Sequence, residues 1–445
     1  MNESNALARS FTVSSLLRFA LPNIIMMVFL SLYTIVDGMF ISRFVGTLAL
    51  SAINMSYPLN CLQMAMGIML ATGGSAIIAR QLGEGRAETA RENFTAIITV
   101  SAAIGAVGFL VLCNLFLTPL LHLLGTSSAQ WQDALIYTRI QLLFAPAMFL
   151  QTAFQSLFVT AGRPGLGLAT TVAGGLSNVV LDWLFMGPLH MGVAGAAIAT
   201  GIGYLFPAVF GLVYFTVNRS GALYFVPFRL RGRVLLSACA NGSSEMVSNI
   251  ANAVTTFLFN MLFLRYYGED GVAAITIAMY FQFVFTAVFF GFSIGVAPVI
   301  SFKYGAEDVP QLQRIFRICL CFILLASVGA YLSSRVLLAP CLALFTPADS
   351  AVYAIAAGGF PVYAVSFLLM GVSIFSSALF TAFSDGLSSA IISFARTLVF
   401  LAGMLLLLPQ LLGSDGIWLA VPAAEGLGVL VSVSFLIWGR KKYRY

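Results

Sequence analysis

The chain is 445 residues long, 60% hydrophobic and only 9% charged, with a formal net charge of +6. An ordinary soluble domain carries about 25% charged residues. The composition therefore excludes a soluble globular enzyme or a disordered binding segment, and the short basic loops do not form a nucleic-acid footprint.

A helix needs about 20 apolar residues to cross the hydrocarbon layer. In chain order, about twelve stretches meet that length, at 15–40, 48–79, 94–117, 134–161, 165–187, 192–216, 235–265, 271–302, 315–338, 351–382, 387–409 and 416–438. The fold expected is an all-α polytopic membrane protein. The first residues, MNESNALARSFTVSS, are polar and the first apolar stretch is too long for a signal-peptide core, so no cleavable leader is expected.

Basic residues orient the spans. With a cytoplasmic N-terminus, the inner loops and tails hold Arg9, Arg18, Arg80, Arg86, Arg91, Arg163, Arg219, Arg229, Arg231, Arg233, Lys303, Arg314, Arg317, Arg440, Lys441, Lys442 and Arg444, while the outer loops hold Arg43, Arg265 and Arg335. The positive-inside rule then places both termini in the cytoplasm and requires an even number of spans. The cysteines sit in or beside apolar stretches without a CxxC pair, which reads as small buried hydrophobes rather than disulfides or metal ligands.

The chain repeats itself. Shifting residues 43–94 by 222 places Arg43, Gly46, Gly73, Gly83 and Phe94 on Arg265, Gly268, Gly295, Gly305 and Phe316. Shifting 154–199 by 221 places Gly165, Pro188 and Gly195 on Gly386, Pro409 and Gly416. Six spans per half is an even number, so both halves run in the same direction about an axis along the membrane normal. That is a design of alternating-access transporters. The expected division is a first half over 1–216, an Arg-rich cytoplasmic linker over 217–234 and a second half over 235–445.

Charged groups inside spans are costly and mark ion or proton pathways by default. Asp37, Asp182, Glu245 and Glu425 are such groups. Counting 1.5 Å per residue brings Asp37, Asp182 and Thr200 to a similar depth in the first half, with Tyr33 and Asn178 one turn before the two aspartates on the same faces. Two carboxylates with amide, hydroxyl and phenol oxygens suit a hard monovalent cation; the same pair, partly desolvated, could hold a proton. A satisfied structural network is the plainer reading. The repeat offsets place Gly403 and Phe259 at the matching positions, so ion coupling is expected in the first half only.

Arg396 and Glu425 reach similar mid-depth, and a structural ion pair is favoured over a cavity-facing Glu425 that attracts cations. Glu245, Asn249, Asn252, Thr256 and Asn260 form one polar stripe on the seventh span. That stripe is either interhelical glue or substrate contact. Met26, Met27, Met64, Tyr280, Gln282 and Phe283 are candidate walls of a substrate cavity, because soft and aromatic groups suit greasy organic cations. Pro22 removes one backbone hydrogen bond from the first span and is a candidate bending point.

Together these stretches resemble the multidrug and toxic compound extrusion (MATE) transporters over nearly the whole chain. The resemblance is carried by Pro22 with Asp37 in YTIVDGMFISRFVGTLALSA, by NVVLDWLF at 178–185 with GVAGAAIAT at 192–200, and by GFSIGVAPVISFKYGAED at 291–308. It implies a V-shaped pair of six-helix lobes and antiport of amphipathic, cationic drugs against inward Na+ or H+. It also implies cation coupling at Tyr33, Asp37, Asn178, Asp182 and Thr200, and a helix that bends at Pro22. The tenth span lacks the acid that another branch carries, so the chain looks closer to the branch with the cation site in the first lobe. The expectation is a non-enzymatic exporter in the inner (plasma) membrane, monomeric, with no cofactor, no nucleic-acid partner and no metal site other than a sodium position. A lipid-linked precursor flippase of the same superfamily is the alternative.

Overall fold

The computed structural model describes residues 6–445 except Gly46, Gly125 and Ser127. Gly46, one of the repeat-matched glycines, thus lies outside the described residues. Among the described residues the regular structure is helical. Among these residues nine helices are long and apolar enough to cross a membrane, and two bent pairs, Trp131–Leu143 with Ala145–Thr160 and Ala351–Tyr363 with Ser366–Ala382, bring the number to 11. One of the nine, Gly232–Gly305, is 74 residues long. Straight, it would reach about 110 Å, several times the hydrocarbon thickness. Gly268 breaks it at φ 69° and ψ −157°, and both of its ends pack on the same neighbouring helix. It is therefore two spans, and the described residues form twelve.

Numbered in chain order, span 1 is Val13–Phe44 and span 2 is Thr47–Gly83. Span 3 is Ala87–Ala103 continued by a π-helical stretch, Ile104–Cys113. Span 4 is the first bent pair, span 5 is Pro164–Met186 and span 6 is Gly192–Val217. Spans 7 and 8 are 232–267 and 269–305, and span 9 is Val309–Phe345. Span 10 is the second bent pair. Span 11 is Gly386–Phe394, π-helical Ala395–Phe400 and Leu401–Leu412, and span 12 is Ser414–Tyr443.

The bends of spans 4 and 10 are 54° and 51°. They fall at matching places in the two halves, which is the parallel repeat expressed in backbone shape. Pro146 follows the first bend directly, where its missing N–H would otherwise bond the preceding turn.

The halves meet along spans 1, 2, 7 and 8 on the face that carries residues 6–12 and Arg444, called here the near face. Helices in lipid associate by close packing, because hydrocarbon tails offer no hydrophobic drive between them. Glycines make that approach possible here. A Cβ on Gly83 would lie 2.1 Å from the Phe302 carbonyl oxygen, and one on Gly305 would lie 2.2 Å from the Arg80 carbonyl oxygen. The 222-residue repeat exchanges the two partners and maps the contact onto itself, so it sits on the pseudo-twofold axis. A Cβ on Gly73 would lie 2.0 Å from the Ala238 carbonyl oxygen of span 7, and one on its repeat partner Gly295 would meet Asn23 and Ala20 of span 1. Asn23 is buried and donates through Nδ2 to the Gly291 carbonyl at 3.0 Å.

Towards the far face, spans 1, 2, 7 and 8 carry exposed large side chains, among them Leu32, Tyr57, Met64, Val254, Phe257 and Phe283. The arrangement is a V, closed on the near face.

The near face is also clamped by the end of span 12. Asp385, in the loop before span 11, accepts from the Tyr443 hydroxyl at 2.5 Å, Ser388 Oγ at 2.9 Å and Lys442 Nζ at 3.2 Å. Burial pushes the Asp385 carboxyl up, but these hydrogen bonds outweigh it and hold the group below the usual carboxylate range.

Two predictions follow from this packing. Gly83→Ala should lower thermal stability by about 1–3 kcal/mol through overpacking. Gly329→Ala, where nothing lies within 4 Å of the new Cβ, should leave it unchanged; melting of the purified protein in detergent compares them. Asp385→Asn should cost about 1–2 kcal/mol at pH 7. A carboxyl held low in the folded state stabilises above its unfolded pKa of about 3.9, and that gain is lost as pH falls through the folded value. The difference between wild type and variant should therefore close on acidification, which melting across pH would show.

Candidate functional site

In the first half, small residues bring spans 5 and 6 together. A Cβ on Gly174 would meet the Gly203 carbonyl at 2.5 Å, and one on Gly203 would meet Asn178 Cβ at 3.1 Å. This approach sets Asn178 against Thr200. The Asn178 Nδ2 donates to Thr200 Oγ1 at 3.3 Å, and that hydroxyl donates to the Ala196 carbonyl at 3.0 Å. Asn178 and Asp182 are fully buried one turn apart on span 5. Asp37 of span 1 lies beside Asp182, within interaction range of its carboxyl. Tyr33, one turn below Asp37, stacks on Phe29 at 6.5 Å between ring centroids, and Phe29 fills the gap over Gly175.

The chemistry of this cluster lies in what it lacks. Asp37 Oδ1, Asn178 Oδ1 and both Asp182 oxygens are buried without a hydrogen-bond donor among the described residues. Buried polar atoms are normally paired, and unpaired acceptors on two carboxylates are expensive. A cation with oxygen ligands, or a proton, relieves that cost. Among the described residues, no group of three His, Cys, Asp or Glu stands ready for a multivalent metal.

Tyr137 of span 4 and Tyr204 of span 6 also stand in the field of Asp37. Sequence reasoning missed both. Tyr204 was findable, since it lies one turn past Thr200, whereas Tyr137 comes from span 4, in which no site residue stood out in the sequence.

The second half is built differently. Arg396 donates through Nε to Glu425 Oε1 and Oε2 at 3.0 and 2.8 Å, and its Nη2 lies 2.8 Å from Oε1. Both side chains are largely buried. Arg396 sits in the π-helical stretch of span 11, a local widening common at functional sites. Glu245 is buried on span 7 with Oε2 unpaired among the described residues. Below it, hydroxyls of Ser377, Thr381, Ser389 and Ser393 join spans 10 and 11 at 2.7–2.9 Å.

The polar stripe on span 7 emerges as it climbs. Glu245 is buried and Asn249 bonds back to the Glu245 carbonyl at 2.8 Å. Thr256 bonds the Asn252 carbonyl, also at 2.8 Å, while Asn252 and Asn260 are exposed. Asn260 lines a cavity of about 950 Å³ with Phe257, Met261, Glu269, Thr276 and Tyr280 at the far ends of spans 7 and 8. Of the candidate cavity residues, Tyr280 reaches this space.

The others lie elsewhere. Met26 is buried against span 5, its sulfur accepting from Thr171 Oγ1 at 3.4 Å. Met27 is half-buried on span 1, and Met64 and Phe283 are exposed. Gln282 accepts from the Tyr363 hydroxyl. Span 1 runs as one helix through Pro22.

The Arg396–Glu425 pair gives a clean stability test. Arg396→Met should destabilise by about 3–5 kcal/mol, since it strands a buried carboxylate, and adding Glu425→Gln should recover much of the loss. Melting of the single and double variants reads this directly; equal losses in both would contradict a compensated pair.

With this geometry in view, the chain can be set beside known proteins. It is 22% identical to the multidrug export protein MepA of Staphylococcus saprophyticus, over 96% of this chain and 93% of that protein. Its fold superposes with a TM-score of 0.92 on a MATE crystallised in complex with MaL6, at 21% identity over 100% of this chain and 99% of the other. It superposes at 0.91 on the outward-facing conformation of a multidrug resistance MATE family transporter of the MOP superfamily, at 22% identity over 100% and 98%. The MatE family model matches residues 22–184 and 246–404, one stretch in each half and together more than half of the chain, and the chain therefore belongs to the MatE family.

Proposed function

We propose that this multi-pass membrane protein is a secondary-active exporter of amphipathic, cationic organic compounds, driven by inward flow of Na+ or H+. The observation that carries the reading is the Asp37–Asp182 cluster, where buried carboxylate oxygens lack donors. A site that must be completed from outside the protein is one whose occupancy can be exchanged between the two sides of a membrane. The printed names of the relatives support export of drugs, and the cavity at the far ends of spans 7 and 8, walled by Phe257, Met261 and Tyr280 with Glu269 in its lining, fits an amphipathic cation.

The near face is assigned to the cytoplasm because it carries the arginine-rich segment 217–234 and the Arg440, Lys441, Lys442 run. On that assignment the structure is an outward-open state. The two lobes are residues 1–216 and 235–445, rocking about the spans 1, 2, 7 and 8 contact, and the membrane is the plasma membrane. A cation or proton at Asp37 and Asp182 shifts the equilibrium only as far as it binds one state better than the other, and substrate binds the opposite state. The flippase alternative fits less well, because Arg396, the one central basic residue that the sequence offers, is paired with Glu425 and so is not free for a phosphate-bearing lipid.

Export of a fluorescent cationic dye from proteoliposomes, with sodium and proton gradients imposed separately, tests the reading. Dye movement should follow one gradient and fall by at least about tenfold in Asp37→Asn and Asp182→Asn, with both variants inserted and folded. Failure of dye to move under either gradient would refute the proposed class of substrate.

A further inference from the structure

Two short non-helical segments on the near face are docked away from the spans they lead into. Residues 6–12 precede span 1 of the first half, yet their backbone is held by the second half. The Phe11 N–H donates to Gln311 Oε1 at 3.1 Å, and Lys303 Nζ donates to the Ala8 carbonyl at 3.1 Å. Leu7 and Phe11 are fully buried, and Arg9 lies over the Phe11 ring. On its other side the segment meets the first half, since Ala6 Cβ would lie 2.7 Å from a Cβ on Gly162. Residues 6–12 thus bridge the two halves.

The segment before span 7 repeats the arrangement. Residues 218–231 are held by span 3 of the first half. Arg91 Nε donates to the Ala222 carbonyl at 3.1 Å, the Val226 N–H donates to Thr95 Oγ1 at 3.2 Å, and Arg231 pairs with Glu92 at 3.0 Å. Leu223 is buried and Arg91 lies over Tyr224 at 4.3 Å. Each strap is gripped at the first turns of the third span of the half opposite to the one it leads into, span 9 for residues 6–12 and span 3 for 218–231, which the repeat equates.

Lys303 is the central group. The residue is only 3% exposed, and its ammonium ties Asp308, at 3.1 Å, to the Ala8 carbonyl. Asp308 in turn caps span 9 by accepting from the Gln311 N–H at 3.3 Å. A buried ammonium needs acceptors for its donors, so the strap carbonyl supplies part of what keeps it dry.

We propose that residues 6–12 form a latch across the near face, with Lys303 and Gln311 as its positioning residues, and that the latch must release before that face can open. The inference rests on the rocking motion proposed above. Parting spans 1 and 2 from spans 7 and 8 either breaks the Lys303 and Gln311 bonds or peels residues 6–12 away from span 1. The equivalent strap over 218–231 meets the same choice at Arg231.

Pulsed electron paramagnetic resonance tests this without gradient or dye. Spin labels are placed at Glu88→Cys and Leu387→Cys, both exposed on the near face of opposite halves, after replacement of the native cysteines. The unlatched variants are Lys303→Met and Gln311→Ala. The expected result is a single short-distance population in the parent and an added longer one in each variant, with the open-to-closed ratio raised about tenfold. Should Lys303→Met fold poorly, Gln311→Ala carries the test alone, as it removes a single acceptor. Distance distributions identical to the parent in folded variants would overturn the latch. A failed dye experiment would leave this measurement unaffected, so the two readings fail separately.

Discussion

Two backbones in contact, with no side chain between them, set the shape of this protein. At Gly83 and Gly305 each helix presents its bare Cα to the carbonyl of the other, and Gly73 does the same against Ala238. In a membrane this closeness is the source of the attraction, because dispersion and backbone approach replace the hydrophobic effect. The contact lies on the pseudo-twofold axis and towards one face only. Away from it the four central spans have larger side chains and diverge. The V is thus a consequence of where the glycines sit, and the proposed alternating access would need such a contact: dense enough to close one face, and small enough in area to be given up.

The two halves resolve the problem of buried charge in opposite ways. In the second half Arg396 answers Glu425 with a two-oxygen hydrogen-bonded pair. Such a pair is close to neutral in net stability but costly to break, so it behaves as fixed structure. In the first half nothing among the described residues answers Asp182, and Asp37 adds a second carboxylate beside it. The repeat supplies one scaffold twice. The copies differ in an acid pair that one half leaves uncompensated, and the proposed function places ion coupling there.

Much of this was legible in the sequence. Span length and apolar content gave the number of crossings, and Gly268, matched to Gly46 by the repeat, marked the turn between spans 7 and 8. The glycine pairs Gly73/Gly295 and Gly83/Gly305 stood out from apolar noise because they serve backbone contacts. Depth counting placed Asp37, Asp182 and Thr200 on one level, since helical rise is fixed and the spans are nearly straight there. Rotation about each helix axis was less readable. Hydropathy barely distinguishes a face towards lipid from one towards protein, so Met26 was assigned to a cavity although it packs on Thr171. Tyr137 went unnoticed for a related reason: it lies on a span bent by 54°, and a straight-helix count says little about what such a span brings near.

Span 1 joins the themes of charge and closure. It carries Asp37 in the polar cluster and, fourteen residues earlier in the sequence, Asn23 in the near-face contact with Gly291. At 1.5 Å per residue these lie about 20 Å apart on one helix. A continuous helix transmits displacement better than a loop does, because its hydrogen bonds must break before it shortens or bends. Pro22 is adjacent to Asn23 and removes one of those bonds at the place where the helix meets the other half. Within the proposed function, neutralising Asp37 relieves repulsion between two carboxylates at one end of this lever. The other end bears on the contact that keeps the near face shut, with the weakest point of the helix beside it. Coupling then needs no long chain of intermediaries. One helix belongs to both sites, and its two positions are what ion and substrate compete to select.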